Sequence, residues 1–196
     1  PNVAEFEGVV FNGLLAGSII PLVVLAIAAA AFANEVEDRT LANLTLSSVP
    51  RWKIVVPKLL ASVTIAAPFI AASAFITSYA AFLGDVTAVS AVTIAALVAV
   101  ILYAALFTWL GLVSTQAIGL GLLYIVLWEG FFSTYVSGVR LLSIRYHSLA
   151  LMHALDARRF AAAPHPGSAV VIVTVILVLG GLVLLTIRQL RRMDVP

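Results

Sequence analysis

Few residues in this chain have the types and spacing that chemistry requires. His147 and His153 are six positions apart, which does not bring both imidazoles to one helical face as an H-E-x-x-H pair would. His165 follows Pro164 in the loop-like run Ala161–Gly167, AAAPHPG. All three read as isolated surface histidines. Ser18 follows Gly17 in AGSII, but the G-x-S-x-G frame of a nucleophile elbow is missing and no histidine lies in a facing apolar tract. Without cysteine there is no thiol nucleophile, thiolate metal site or disulfide. No G-x-x-x-x-G-K-[ST] run occurs, so the chain has no P-loop with which to bind ATP. The reading is a non-enzyme with no catalytic residue, cofactor or metal of its own, and an intramembrane hydrolase is disfavoured.

One titratable residue stands out. Glu129 is the only acidic residue inside a long apolar tract, where a carboxylate costs several kcal/mol unless it is paired, protonated or wetted. Trp128, Phe131, Phe132 and Tyr135 surround it like an interfacial aromatic belt, and Gly130 offers a break. The helix is expected to bend near Gly130, with the next segment lying at the outer surface or re-entering from it. Glu129 would then reach water or an arginine such as Arg140 or Arg145. Structural pairing and a part in an outer gate are both open.

The elements that must position these residues follow from composition. The 196 residues are 63% apolar and 10% charged, against about 45–50% and 25% in a soluble domain. A bilayer span needs about 20 mostly apolar residues. Five tracts qualify: 8–33, 54–82, 88–113, 117–136 and 168–187. The predicted class is an all-α integral membrane protein, one transmembrane domain over 1–196 with five spans, a cytoplasmic segment at 34–53 and an outer connection at 137–167. The basic residues flank spans, which argues for membrane-edge charges and lipid contact and against nucleic acid.

With the 34–53 segment taken as cytoplasmic, Arg39, Arg51, Lys53, Lys58, Arg188, Arg191 and Arg192 fall inside. Arg140, Arg145, Arg158 and Arg159 fall outside. That bias places the N-terminal end outside and the C-terminal end in the cytoplasm. Pro1–Glu7 (PNVAEFE) lacks the pattern of a signal peptide. One further span ahead of Pro1 is expected, giving six with both ends inside. Within the second span Pro68 should kink the helix, as a fixed kink or a moving hinge, with Thr64 covering a freed carbonyl. Gly13 and Gly17 form a GxxxG pair suited to a close helix contact. In the outer connection Leu142, Tyr146, Leu149 and His153 share one face, opposite Arg140, Ser143 and His147, as in an interfacial amphipathic helix or a lid.

The most informative stretch is Asn34–Lys58, NEVEDRTLANLTLSSVPRWKIVVPK. Glu35 and Arg39 form an i,i+4 pair, Leu41 and Leu44 share a face, and Ser47 or Ser48 can cap a helix opening at Pro50. Apolar residues in so charged a connection suggest a docking surface. Here E-x-E-D-R-T-L-A-N-L at Glu35–Leu44, S-S-V-P-R-W-K at Ser47–Lys53, Lys58 and the basic ending Arg188-Gln-Leu-Arg-Arg-Met-Asp together resemble the ABC-2 type permeases, membrane subunits of one group of ABC transporters. The resemblance runs from the family's second span to the end of the chain. It implies a multi-pass protein of a prokaryotic cell membrane, two permease copies alike or similar, and separate ABC-type ATPase subunits that hold ATP and Mg. It implies export more often than import. The family's ATPase-contacting helix maps onto Arg39–Ser48, so Glu35, Asp38, Arg39, Leu41, Leu44 and Arg51 become the expected coupling residues. The helical elements before its last span map onto Ser137–Ala162. A non-transporting membrane scaffold that recruits a soluble partner is the alternative.

Overall fold

Apolar runs of this length must satisfy their own backbone amides, and a helix does so within one segment. The computed structural model describes residues 3–32, 50–132, 143–161 and 167–192. Every regular element among them is helical. We number them α1 (Val3–Phe32), α2 (Trp52–Phe82), α3 (Val86–Val113), α4 (Ala117–Phe132), α5 (Ile144–Leu155) and α6 (Ser168–Arg192). Four of them, α1, α2, α3 and α6, are long and apolar enough to cross a membrane, with 30, 31, 28 and 25 residues.

The tract expected at 117–136 differs. Its helix covers Ala117–Phe132, 7 residues of α-helix followed by 9 of wider winding. Even at the α-helical rise this reaches about 24 Å, short of a hydrocarbon core of about 30 Å. Residues 133–136 lie outside the described residues, so α4 is a shorter apolar helix beside four long ones.

α1, α2 and α3 alternate in direction. At one end Phe6, Phe82 and Phe160 form an edge-to-face chain, with centroids 4.7 and 5.6 Å apart. At the other, Phe32 (α1), Val55 (α2), Leu112 (α3) and Leu190 (α6) make a separate apolar cluster. Between them α3 is the hub, packing against α1, α2, α4, α5 and α6. Its buried Ala88, Ala91, Ala95, Ala96, Ala99, Ala104 and Ala105 let neighbouring backbones come close, which is how helices associate where burial from water supplies no drive. By contrast α2 and α6 turn Phe69, Ile76, Ile176 and Leu177 outward, as apolar surface facing lipid would be.

Local sequence explains the joints. Leu83 (φ 53°) and Gly84 (φ 81°) turn the chain between α2 and α3. Asp85 then caps α3, accepting hydrogen bonds from the amides of Thr87 (3.0 Å) and Ala88 (3.4 Å). At its other end, α2 begins at Trp52 behind Arg51, which already has helical backbone angles and makes no side-chain cap bond. The expected opening at Pro50 is therefore two residues early, and Ser47 and Ser48 lie outside the described residues. The helix continues through Pro57 and Pro68. The carbonyl that Pro68 leaves unpaired is that of Thr64 itself, and the Thr64 hydroxyl donates back to Leu60 O at 2.7 Å. Thr64 does not cover the freed carbonyl.

Glycine sets one crossing directly. A Cβ on Gly111 of α3 would stand 2.4 Å from Ala29 O of α1, a backbone atom that can move only if the helices part. Overpacking of this kind costs about 1–3 kcal/mol, and each kcal/mol is about 2–4 °C in Tm for a chain of this size. Gly111→Ala should lower the melting temperature of the detergent-solubilised protein by several degrees. Gly119→Ala, where nothing lies within 4 Å, should leave it unchanged or raise it. Equal behaviour of the two variants would refute the close α1–α3 crossing.

Candidate functional site

The first turn of α5 meets three long-chain neighbours in the interior of the bundle. The sequence pattern suggested a surface helix with Ser143 and His147 on its wet side. Instead Ser143, Ile144, His147, Ser148, Leu149, Ala150 and Met152 are all buried, because α5 packs against α3, α6 and α1. The polar face of α5 is covered by protein and not by water.

Glu129 of α4 explains why the helix starts there. Its side chain is fully buried, at 0% exposure. Oε1 accepts from the Tyr124 hydroxyl at 3.0 Å and from the Ile144 amide at 2.8 Å, and Oε2 accepts from Ser143 Oγ at 2.5 Å. Ser143 is the N-cap of α5 and its Oγ accepts from the Tyr146 amide at 3.1 Å. One carboxylate therefore holds the first amide of α5, and the N-cap hydroxyl links it to a second. A negative charge placed at the positive end of a helix is stabilised by the aligned peptide dipoles, and ionised acceptors make the stronger hydrogen bonds. The expectation that Glu129 reaches water is corrected: it is sealed against the end of another helix. Nor does Gly130 break α4, which runs on to Phe132.

The winding of α4 brings the partners together. Residues five apart lie about 140° from each other around an α-helix, which would point Tyr124 away from Glu129. From Tyr124 to Phe132 the helix is π-wound, and i→i+5 hydrogen bonding brings residues five apart onto one side. The same winding occupies Phe6–Ile19 of α1, where Ser18 Oγ donates to Gly13 O at 3.2 Å. The two wide stretches touch. Gly17, half of the expected GxxxG pair, faces α5: a Cβ there would stand 2.6 Å from Asn12 O and 3.5 Å from Arg145 Nη1. Gly13 has only Gly8 O nearby, at 3.5 Å. Gly17 makes room for an arginine, and no second helix backbone lies against the exposed Gly13 among the described residues.

The far end of α5 is also fastened. Arg159 Nη2 pairs with Asp85 Oδ2 at 2.6 Å and its guanidinium lies 5.4 Å from the centre of the Phe82 ring. His153 Nδ1 and Phe160 O are 2.6 Å apart. The two histidines thus serve packing: His147 is buried and His153 ties down the chain after α5. Among the described residues no group of three His, Cys, Asp or Glu is placed to hold a metal ion.

At the opposite end of the bundle, Lys58 of α2 donates to Ala31 O of α1 at 2.5 Å and lies 4.6 Å from the Phe32 ring centre. It bolts α2 to the last turn of α1, on either side of the 33–49 connection. Lys53 sits 5.7 Å from the Trp52 ring. Of the expected coupling residues, Arg51 lies at the start of α2. Glu35, Asp38, Arg39, Leu41 and Leu44 lie outside the described residues, as do Arg140 and His165.

The parts that Tyr124 and Ser143 play were not read from the sequence. Ser143 carried a signal, a cap residue ahead of a periodic run; Tyr124 carried none, since its role depends on π winding. The arrangement predicts how Glu129 responds to substitution. Gln keeps an acceptor for Tyr124 and Ile144 and can donate to Ser143, whereas Leu strands three buried donors at about 1–3 kcal/mol each. Glu129→Gln should remain folded with a small loss of melting temperature, and Glu129→Leu should lose several times more or fail to accumulate. Equal tolerance of both would show that the carboxylate does not hold α5.

In comparisons with known proteins the chain matches no family model and no curated sequence. Its function must be read from its own residues.

Proposed function

We propose that this chain is the membrane subunit of an ATP-driven ABC transporter, an exporter of the ABC-2 permease kind, working as a pair of permease copies with separate ATPase subunits. The observation that carries the reading is the charged 35–53 stretch between two membrane-length helices, with its acidic cluster, Thr-Leu pair, Leu41, Leu44 and Arg51 in the order seen in that family. In this reading ATP and Mg are held by a partner, in keeping with the lack of a P-loop sequence in these 196 residues. Four long apolar helices and a shorter one are compatible with a multi-pass protein of a cell membrane. The Lys58 bolt supports the same reading, because a push on the 34–49 connection reaches α1 and α2 together.

In this scheme ATP binding biases the permease pair toward one of two states by contacting them differently. Helix α5, fastened at Glu129 and at Asp85, is the element whose release or seating would separate those states. Glu129 is its inner fastening. A scaffold that only recruits a partner through the same loop is the second reading, and cargo-stimulated ATPase activity distinguishes them.

Two outcomes follow. Leu83 at the α2–α3 turn is 94% exposed and Gln189 lies near the end of α6. In intact cells Leu83→Cys should react with an impermeant thiol reagent and Gln189→Cys should not; the reverse would overturn the orientation with the 34–53 segment inside. Leu41 and Leu44 should insert into the ATPase, and burying each leucine is worth about 1.5–3 kcal/mol. Leu41→Asp/Leu44→Asp should therefore give a normally made membrane protein that no longer co-purifies with a P-loop ATPase. Wild-type association and transport in that variant would remove the main support for the permease reading.

A further inference from the structure

Of the four long helices, α6 buries the least of itself in the bundle, and its outward side is patterned. Arg188, Arg191 and Arg192 follow i, i+3, i+4 spacing, which places three guanidinium groups on one face of the helix. All three are exposed, and among the described residues none of them is in an ion pair. No acidic residue occurs in Ser168–Arg192 to offset them. The C-terminal end of a helix favours cations. That accounts for basic residues in the last turn but not for their gathering on the side turned away from the bundle, opposite the buried Thr186 and Leu190.

The same face continues as hydrocarbon. With about 100° of rotation per residue, Leu184, Gly181 and Leu177 lie within about 40° of Arg188 around the helix axis. Leu184 and Leu177 are 66% and 67% exposed. A Cβ on Gly181 would meet nothing within 4 Å, so the strip has an open notch between its two leucines. From Leu177 to Arg188 the helix rises about 16 Å, roughly half of a hydrocarbon core of about 30 Å. The face is thus an apolar strip one leaflet long that ends in three positive charges.

We propose that this face of α6 binds an anionic phospholipid, its phosphate held by Arg188, Arg191 and Arg192 and one acyl chain laid along Leu184, Gly181 and Leu177. Charge selects the occupant. Guanidinium groups match phosphate oxygens in a bidentate fork, and basic clusters at the end of a span attract acidic headgroups. A second copy of the chain in the same membrane orientation would set two such triplets against each other, and like charges facing across an interface are strongly unfavourable. A zwitterionic lipid offers the same chains without the net charge. The site needs neither nucleotide nor cargo, so it stands apart from the transport reading.

The test places the full chain in nanodiscs of equal parts phosphatidylglycerol and phosphatidylcholine with identical acyl chains, and counts the lipids retained on the protein by native mass spectrometry. One cation near an anionic membrane surface contributes a factor of about five in affinity. Retained phosphatidylglycerol should exceed phosphatidylcholine by at least about tenfold. Replacing Arg188, Arg191 and Arg192 together by Gln should bring the ratio below about twofold, and replacing them by Lys should keep most of it. Arg191→Gln alone should lower the ratio several-fold. Lys53→Gln removes one exposed charge at the same end of the bundle and should leave the ratio unchanged. Equal retention of the two lipids by the wild-type protein would overturn the site even if the triple variant cannot be made. Equal losses in Arg191→Gln and Lys53→Gln would assign the preference to the overall charge of the rim and overturn it as well. Displacement of the retained lipid by glycerol phosphate at equal concentration would make the ligand a soluble phosphate, and a disulfide-linked dimer of Leu177→Cys would give the face to a second copy; either result overturns the lipid.

Discussion

A carboxylate with no exposure, in a helix otherwise fit for hydrocarbon, is the constraint on which the rest of this structure depends. Removing a charge from water costs several kcal/mol unless donors surround it, and among the described residues of α4 the Tyr124 hydroxyl is the side-chain donor to it. The remaining donors come from the N-terminus of α5, which must therefore begin inside the bundle. From that single requirement follow the depth of α5, the π winding that turns Tyr124 toward Glu129, and the small residues along α3 and at Gly17 that leave room for the inserted turn. The carboxylate and the helix end satisfy each other, since the first amides of a helix also lack partners when buried.

Fastening at two ends gives α5 its mechanical character. Its first turn is bonded to Glu129 in the interior, and the segment after it is tied to Asp85 and Phe82 at the turn between α2 and α3. The two ties differ in kind. The inner one is sealed from water and adds rigidity, whereas the Asp85–Arg159 pair is about a third exposed and of the sort that contributes at most about 1 kcal/mol. A helix held firmly inside and loosely at the rim can open at its rim first. At the opposite end Lys58 links α1 to α2, so the connection between those helices acts on a stiff pair.

The long helices were legible in the sequence because a run of apolar residues has one consequence in lipid, and the observed bounds of α1, α2, α3 and α6 lie within a few residues of the hydropathy tracts except at the two chain-end sides, Val3 and Arg192. Glu129 was also legible, as the lone acid in such a tract. Its partners were not. Tyr124 lies five residues away, a spacing that α-helical periodicity sends to another face, and Ser143 and Ile144 belong to the start of a different helix. The error over α5 has the same origin: amphipathic periodicity tells which residues share a face, not whether the polar face meets water or a buried carboxylate. Pattern fails where the environment of a helix is itself polar and interior.

Taken together, the bundle has a stiff pair of helices bearing the charged connection, a central small-residue helix, and an inserted helix held by one buried acid. In the proposed transport reading, an event at the 34–53 segment is coupled to the seating of α5. The claim underneath is that α5 is interior and bonded to Glu129, and hydrogen–deuterium exchange of the purified chain in nanodiscs tests it most directly. The amides of 144–150 should exchange as slowly as those in the middle of α3, and Glu129→Leu, where it accumulates, should speed them by more than about tenfold while α3 is unaffected. Exchange of 144–150 in the wild-type protein at the rate of a surface helix would contradict the account.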